Sequence, residues 1–576
     1  MKLFSTSTSI STTKTSGVIT LAISLLSCIT TAVQANNVTY SVVAFPSQGE
    51  QVVVNVNNQT FALAESATCM GLYTGNAPFA SEYHYALVNA HGQQTPEKVK
   101  RSLANANTTT TGNEFFDRSR TFWDIPEIPQ AYPPIFPSKA SEFGNSNQIA
   151  TVIARADGPA LQKILDDPDT DHSYVQMYNM TYINHDHCFS FMSAGLKNSG
   201  QSSKKYTKQS WNIKFGKFDK NADDKLYGRK AIKLRAEAVD PAFIRDKLAM
   251  DSLQAAGAIH TEGSFARFFV NGEPYGLYLM TDEEFKGFTD NLMNGGQKDA
   301  HIGPTYKANS LGPDQCADLV YKGPDNSSYA WGDIYSLGDQ GRDPTSGVTK
   351  KSYAAPLMDF MKRLNETTHG NTTAPGTIVD LMDNTNQTMI QLAMNMLMGA
   401  WDGLWYTGTN FYLTEHMDTK KWTLITYDFD DTFGNGMQDE KMLTAPYQSF
   451  APEGAKRPLV EAFIKDPYFQ PQFEEILKTI VQKSFNPSNL KPRIDAYTQM
   501  LEQDIAWDYG LKRKAKGVKK DFTLESFKKN MYSFSDDSIG IMEWIGNRTI
   551  ATAKQLNVTL NQPTNNNNNN NNSIRL

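Results

Sequence analysis

Cysteine is scarce, with four in 576 residues, so the fold cannot be a disulfide scaffold and must rest on an apolar core. Histidine is also rare, nine in all. His185 and His187 flank Asp186 in INHDHC beside Cys188, but no second cluster with metal-site spacing accompanies them, so no metal site is expected there. Beyond residue 35 no apolar run approaches the ~20 residues that a membrane span requires. No basic stripe is present, which argues against nucleic acid as a partner. No internal repeat is evident. The C-terminus lacks the apolar tail of a lipid-anchor signal; it carries an unbroken Asn565–Asn572 run followed by Ser-Ile-Arg-Leu.

Residues 1–35 have Lys2 and Lys14 as their only charged side chains, then the apolar run GVITLAISLL and the small-residue site Val33-Gln34-Ala35. This is the pattern of a secretory signal peptide, with cleavage expected after Ala35. Without it Lys+Arg falls from 55 to 53 against 61 Asp+Glu, a net charge of −8. Outside the Asn tail, acceptor sequons stand at Asn37, Asn58, Asn107, Asn179, Asn326, Asn365, Asn371, Asn386, Asn547 and Asn557. Together with the leader they point to a secreted eukaryotic glycoprotein. Cys28 leaves with the leader; Cys69, Cys188 and Cys316 then permit one disulfide and one free thiol, with the pairing open.

The chain divides by composition. TYSVVAF, QVVVNV and QTFALA are short strands between turns, so residues 36–110 are expected to form a small β-sandwich-like module. Residues 111–147, polar and then proline-rich, are expected to be a linker, and 561–576 a disordered Asn-rich tail. Residues 148–560 have strands grouped before helices, an α+β pattern. Asp240-Pro241 marks the start of a helix running to Gly257, with Arg245 and Asp246 beside its apolar face. Asn271-Gly272 marks a hairpin.

The segment Asp402–Gly434 carries the chemistry. An Asp is followed eight residues later by Asn410, and an acidic group, Asp428, Asp430 and Asp431, leaves the hydrophobic strand TLITY. Phosphoryl transfer uses one carboxylate to orient a hydroxyl, and a carboxylate with an amide to hold Mg²⁺. Three acids at a strand exit repel one another unless a cation is present. Upstream, Gly200, Ser202 and Ser203 could cradle phosphate, followed by Lys208 and by Lys214 on a strand; the plain alternative for Lys214 is a solvated strand lysine.

The series SSKKYTKQSWNIKF, LYGRKAIKLRAEAVDPAFIRDKLAMDSL, FVNGEPYGLYLMTDE, WDGLWYTGTNFYL and TYDFDDTFG resembles the CotH family of spore coat protein kinases over roughly residues 150–550. The resemblance implies an atypical protein-kinase-like fold that uses ATP with Mg²⁺ or Mn²⁺ and phosphorylates serine of coat or surface proteins. It implies Asp402 as the catalytic Asp, Asn410 and Asp428 as metal ligands with Asp430 a close second, and Lys214 as the phosphate-binding lysine, assisted by Lys208, Ser202 and Ser203. Fungal members include secreted or surface adhesins and invasins, so a non-catalytic adhesin with a host-cell receptor as partner is the alternative. GRDPTSG at 341–347 resembles a host-binding loop of such relatives but departs from their pattern, and reads better as a surface turn. No HRD-type sequence precedes Asp402 and no Gly follows Phe429 directly, so the roles rest on motif order and strand context. A haloacid-dehalogenase-type phosphatase, with Asp428 as nucleophile and Asp430 as acid/base, is a third reading; it requires βαβ units after Gly434, where the sequence reads as helices.

Overall fold

The computed structural model describes residues 37–283 and 287–560. The expected leader and Asn-rich tail lie outside the described residues. Alternation in the first strands (Asn37–Val43, Gln51–Val56) turns Val38, Tyr40, Val42, Val52, Val54 and Val56 inward onto one core. The strand Gln59–Glu65 pairs with Gln51–Val56 along its length and with Leu72–Pro78 at its end, so one eight-stranded sheet folds over itself. The strand Thr110–Phe115 lies parallel to Asn37–Val43 in this sheet, with Val42 opposite Glu114. The module therefore extends to Phe115 rather than ending at 110; Thr, Gly and Asn gave this edge strand the composition of a linker.

The proline-rich segment is not a free linker but a strap on the main domain. Trp123 N–H bonds the Asn147 carbonyl (2.7 Å), Ala131 N–H that of Ala255 (2.7 Å) and Ile135 N–H that of Gly257 (3.1 Å). Ile125, Ile128 and Ala131 are buried in the large core. Proline removes backbone donors, so such a strap leaves few polar groups to satisfy.

Module and main domain are joined covalently and by packing. Cys69 pairs with Cys188, leaving Cys316 as a buried free thiol. Phe45 stacks on Phe269 at 4.3 Å between centroids, and Asp504 takes ion pairs from Arg118 (3.1 Å) and Arg267 (2.6 Å). INHDHC is a turn at this joint: the Asn184 side chain accepts from His187 N–H (2.7 Å), and the His185 carbonyl accepts from Asn113 N–H (2.7 Å).

Seven strands of the main domain close into a barrel. Ile149–Ala156 pairs antiparallel with Val175–Ile183 and parallel with Gly263–Val270, sealing a sheet that runs through Ala194–Ser199, Ser210–Lys214, Ala231–Arg235 and Glu273–Asp282. Trp211, Ile213, Ile232, Leu234, Phe268 and Met280 fill it. The Asn271-Gly272 hairpin has the paired positive φ values, 54° and 81°, of a two-residue I′ turn. The helix between the strands Ala231–Arg235 and Gly263–Val270 is Arg245–Ala255, which starts four residues later than Pro241 signals. Asp240 instead accepts from the N–H groups of Ala242 and Arg245 (both 2.9 Å), and Phe243, at φ 62°, holds the chain out of the helix.

A second antiparallel sheet has the order Tyr335–Asp339, Ile302–Ala308, Phe411–His416, Lys421–Thr426. Helices Thr385–Met398, Phe469–Lys483, Pro487–Tyr509 and Ile541–Leu556 share its core. Among the described residues no named strand follows Thr426, so the βαβ units of a haloacid-dehalogenase fold are missing. Residues 341–347 form a surface 3₁₀ turn capped by Asp343, whose side chain accepts from Thr345 N–H (2.9 Å). No described helix is long and apolar enough to cross a membrane. The fold is α+β with an N-terminal all-β region.

The 119 residues between Cys69 and Cys188 make this bridge a constraint on the unfolded chain. Replacing both with Ser is expected to cost roughly 2–4 kcal/mol in denaturant unfolding. Thiol titration of the unfolded mature protein is expected to find Cys316 alone.

Candidate active site

The site begins at the end of the buried helix Thr385–Met398. Gly399 ends it in the left-handed region (φ 65°), where a Cβ would stand 2.1 Å from the Trp544 ring, so only glycine fits. The turn that follows presents Asp402. Thr407 Oγ1 donates to Asp402 Oδ1 (3.1 Å), and Asn410 Nδ2 donates to Asp402 Oδ2 (3.1 Å) and to its carbonyl (2.8 Å). Asn410 thus offers its amide nitrogen to Asp402 and keeps its amide oxygen as an acceptor. Burial and the charge of Asp428 raise the pKa of Asp402, against the pull of these two hydrogen bonds.

A hairpin explains how residues eighteen positions apart meet. Phe411 is opposite Thr426, and Tyr427 N–H donates to the Asn410 carbonyl (3.1 Å), so Asn410 and Asp428 flank one end of the pair. Tyr427 stacks on Tyr412 at 4.3 Å, and Asn395 Nδ2 donates to Thr426 Oγ1 (3.0 Å), which fixes the strand exit. Asn410, Asp428 and Phe433 all have positive φ (57°, 65° and 46°), the kind of backbone strain that persists only where surroundings enforce it. The enforcing bonds include Phe433 N–H to the Met398 carbonyl (2.7 Å), Arg245 Nε to the Thr432 carbonyl (3.1 Å) and Asn435 Nδ2 to the Asp430 carbonyl (2.9 Å).

Arg235, on the barrel strand Ala231–Arg235, is the cation among these acids. Its Nη2 bonds Asp428 Oδ1 at 2.6 Å and lies 3.2 Å from Asp430 Oδ1. Its Nε lies 3.3 Å from Glu237 and 2.5 Å from Asp246 Oδ2, the latter a charge contact rather than a directed hydrogen bond. Asp246, on the helix Arg245–Ala255, also accepts from Phe429 N–H through Oδ1 (3.1 Å). Burial opposes ionisation of Asp428, yet Arg235 and Lys233 hold its pKa well below the carboxylate range. Burial and the charges of Asp428 and Asp431 raise that of Asp430 far above it, although Arg235 pulls the other way. Burial, with Asp402 and Asp428, pushes Asp431 up to about 7.

Six acids (Glu237, Asp246, Asp402, Asp428, Asp430 and Asp431) thus face three cations: Arg235, Lys233 and, at Glu237, Lys208. The excess is negative, every donor is oxygen, and buried Glu237 Oε2 has no hydrogen-bond partner. This chemistry fits a hard divalent cation such as Mg²⁺ or Mn²⁺. Among the described residues no three His, Cys, Asp or Glu side chains form a ready-made cage. Mg²⁺ does not require one, since it takes one or two carboxylates and completes its shell with water and substrate phosphates.

The residues expected to bind phosphate separate. Lys214 is exposed on the strand Ser210–Lys214, where Asn212 is opposite Lys233 and Lys214 opposite Ala231. Strand alternation puts Lys214, Lys233 and Arg235 on one face, with Lys233 acting on both Asp428 and Asp246 and Lys214 a diagonal step away. Burial and then the charges of Lys217 and Lys350 lower the pKa of Lys214. Lys208 lines a small cavity together with Glu237, whose charge acts on it. It is buried, with its ammonium 3.0 Å from Asp508 Oδ2 and over the rings of Phe243 (4.7 Å) and Tyr278 (5.1 Å); burial lowers its pKa to about 8. Its ion pair with Asp508, 300 residues on, could not be read from sequence spacing. Ser202 and Ser203 lie in the 3₁₀ turn Ser202–Lys205, where Gly200 (φ 113°) leaves room for the Ser203 hydroxyl. The sequence patterns single out Asp246 beside the apolar face of its helix but give no role to Lys233 or Arg235. The available signal was Ala-Ile-Lys on a strand, a pattern that protein kinases use for their phosphate-binding lysine.

The family described as CotH kinase protein matches residues 196–550. The chain belongs to the CotH family. It is 26% identical to Invasin CotH2 of Rhizopus delemar over 529 residues, covering 88% of this chain and 82% of that protein. Invasin CotH3 of the same organism is 26% identical over 551 residues (92% and 86%), and Spore coat protein homolog 1 is 25% identical over 552 (92% and 83%).

Arg235→Met would leave four acids without their shared cation. A loss of roughly 3–5 kcal/mol in denaturant unfolding is expected. Arg235→Lys is expected to recover only part of it, because one ammonium cannot replace a planar five-donor group.

Proposed function

We propose that this chain is a secreted, atypical protein serine kinase that transfers the γ-phosphate of ATP to coat or surface proteins. The observation that carries the reading is the hydrogen-bonded Asp402–Asn410 pair, set beside Asp428 at a strand exit and opposite a strand lysine, Lys233. Asp402, with its pKa raised by burial and Asp428, is suited to accept a hydrogen bond from a serine hydroxyl and draw its proton as attack proceeds. Asn410 Oδ1 and Asp428 would hold Mg²⁺ or Mn²⁺, with Asp430 or Asp431 beside them. When bound, the cation neutralises charge on the nucleotide phosphates. Lys233 takes the phosphate-binding role, and Lys214, on the same sheet face, is an outer cation of that surface. The strained backbone at Asn410 and Asp428 supports a preorganised site, because ligand groups that do not rearrange lower the cost of reaching the transition state.

The second reading is a non-catalytic adhesin on a kinase-like scaffold, with a host-cell receptor as partner. The names of the Rhizopus delemar relatives, invasins and a spore coat homologue, favour it and also support a surface or coat location. The crowding of carboxylates favours the kinase, since an adhesin has no need to gather so many acids at one strand exit.

Purified protein with labelled ATP and Mg²⁺ or Mn²⁺ is expected to incorporate label on serine. Asp402→Asn is expected to keep nucleotide binding and lose ~10²-fold or more in rate. Asp428→Asn is expected to abolish metal-dependent binding. No incorporation and no nucleotide binding by the wild type would favour the adhesin. Lys233→Met is expected to weaken ATP binding by about tenfold or more, as loss of a charge-assisted bond implies, and Lys214→Met by less. The reverse order in a binding titration would return the main role to Lys214.

A further inference from the structure

The ten sequons differ in what folding leaves around them. Asn179 is in a barrel strand with a buried, unpartnered Oδ1, and its Thr181 is fully buried. Asn386 is helical, and the hydroxyl of its buried Thr388 is bonded to the Asn384 carbonyl (3.1 Å). Asn326, Asn371 and Asn557 are exposed. Of these three, Asn326 borders a concave surface. Asp325 caps its 3₁₀ turn, accepting from Ser327 N–H (2.9 Å) and Oγ (2.7 Å), which holds Asn326 outward. The Asn326 carbonyl accepts from Trp331 Nε1 (3.1 Å), so the sequon and the indole are fixed to each other. Trp331 meets Tyr353 edge-on at 5.8 Å. Beside them lies an open groove of about 610 Å³, whose walls include Tyr321, Asn326, Trp331, Tyr353, Met358 and Lys351.

A hexose has two characters: C–H faces that lie against aromatic rings, and hydroxyls that bond charged and amide groups. This groove offers both. Its volume is that of a small-ligand site, and a sugar attached at Asn326 would be held there at high effective concentration. We propose that Asn326 carries an asparagine-linked glycan whose inner N-acetylglucosamine units occupy this groove. The proposal rests on the secretory reading of the chain. The co-reactant is a polyprenyl-pyrophosphate-linked oligosaccharide of the secretory lumen. Asn326 Nδ2 forms the bond to its anomeric carbon, the C–O bond to pyrophosphate breaks with the electron pair leaving on phosphate, and the amide proton passes to a transferase base. The step acts on the extended chain before the groove closes.

The test uses the full chain with its leader, secreted from a eukaryotic cell. Glycopeptide mass spectrometry would follow release by a peptide N-glycosidase under native conditions at Asn326, Asn371 and Asn557. Asn326 is expected to be occupied, with release slower than at the other two on the order of tenfold, the factor that about 1.4 kcal/mol of contact gives. Ala355→Arg, at an exposed position on the groove wall, is expected to remove that protection without touching the core. An empty Asn326 beside an occupied Asn371 or Asn557, or equal release at all three, overturns the proposal alone. Absence of glycan at every sequon overturns it together with the secretory reading.

Discussion

The guanidinium of Arg235 lies among four carboxylates from three stretches of chain: Glu237 just past its own strand, Asp246 on the next helix, and Asp428 with Asp430 nearly two hundred residues later. Each of these charges loses water on folding, and Arg235 is the cation that all four share. The guanidinium therefore holds the barrel, the helix Arg245–Ala255 and the strand-exit loop in one register. A planar group with five donors can address acids in several directions at once, which an ammonium cannot. The left-handed backbone of Asp428 is one cost of this arrangement. One cation nonetheless cannot neutralise so many acids.

The same helix is held from its other side. Asp251 takes Lys247 (2.6 Å), Arg493 Nε (2.8 Å) and the Tyr497 hydroxyl (2.6 Å), and Arg493 reaches Ser146 of the strap (2.7 Å). A buried and fully partnered polar network is stiff, and loosening any member exposes the rest to an unpaired state. Asp246 is thus presented by a helix clamped between two ionic networks, one at the acidic loop and one at the strap. This geometry describes a fixed element rather than a swinging one.

Much of this was legible in the sequence, and the exceptions have physical causes. The hairpin at Asn271-Gly272, the helices after Gly434, and the nearness of Asn410 to Asp428 follow from local turn chemistry and strand pairing, which short segments encode. Long-range partners do not follow in this way. Lys208 follows a glycine-containing loop in sequence, but its ion-pair partner Asp508 is 300 residues away. Lys214 drew attention over Lys233 because a glycine loop precedes it, whereas sheet register brings Lys233 to the acids. The strap and the edge strand Thr110–Phe115 were hidden by composition: proline, threonine and glycine describe a free linker and a packed segment equally well. Asp240 does not cap the helix, which begins at Arg245, because its carboxylate turns to nearby backbone and to Arg245.

The distance in sequence between the two halves of the site has a consequence for synthesis. The barrel cannot seal until Gly263–Val270 meets Ile149–Ala156, and the acidic loop emerges 193 residues after Arg235. Contacts of such separation form late, because a long loop must be closed first. A chain released early, even one with its barrel complete, would carry Arg235 and Lys233 without Asp402 or Asp428. The cluster of Arg235 with Asp428 and Asp430 can therefore be assembled only once the chain has been made past residue 430, and shorter fragments would lack it.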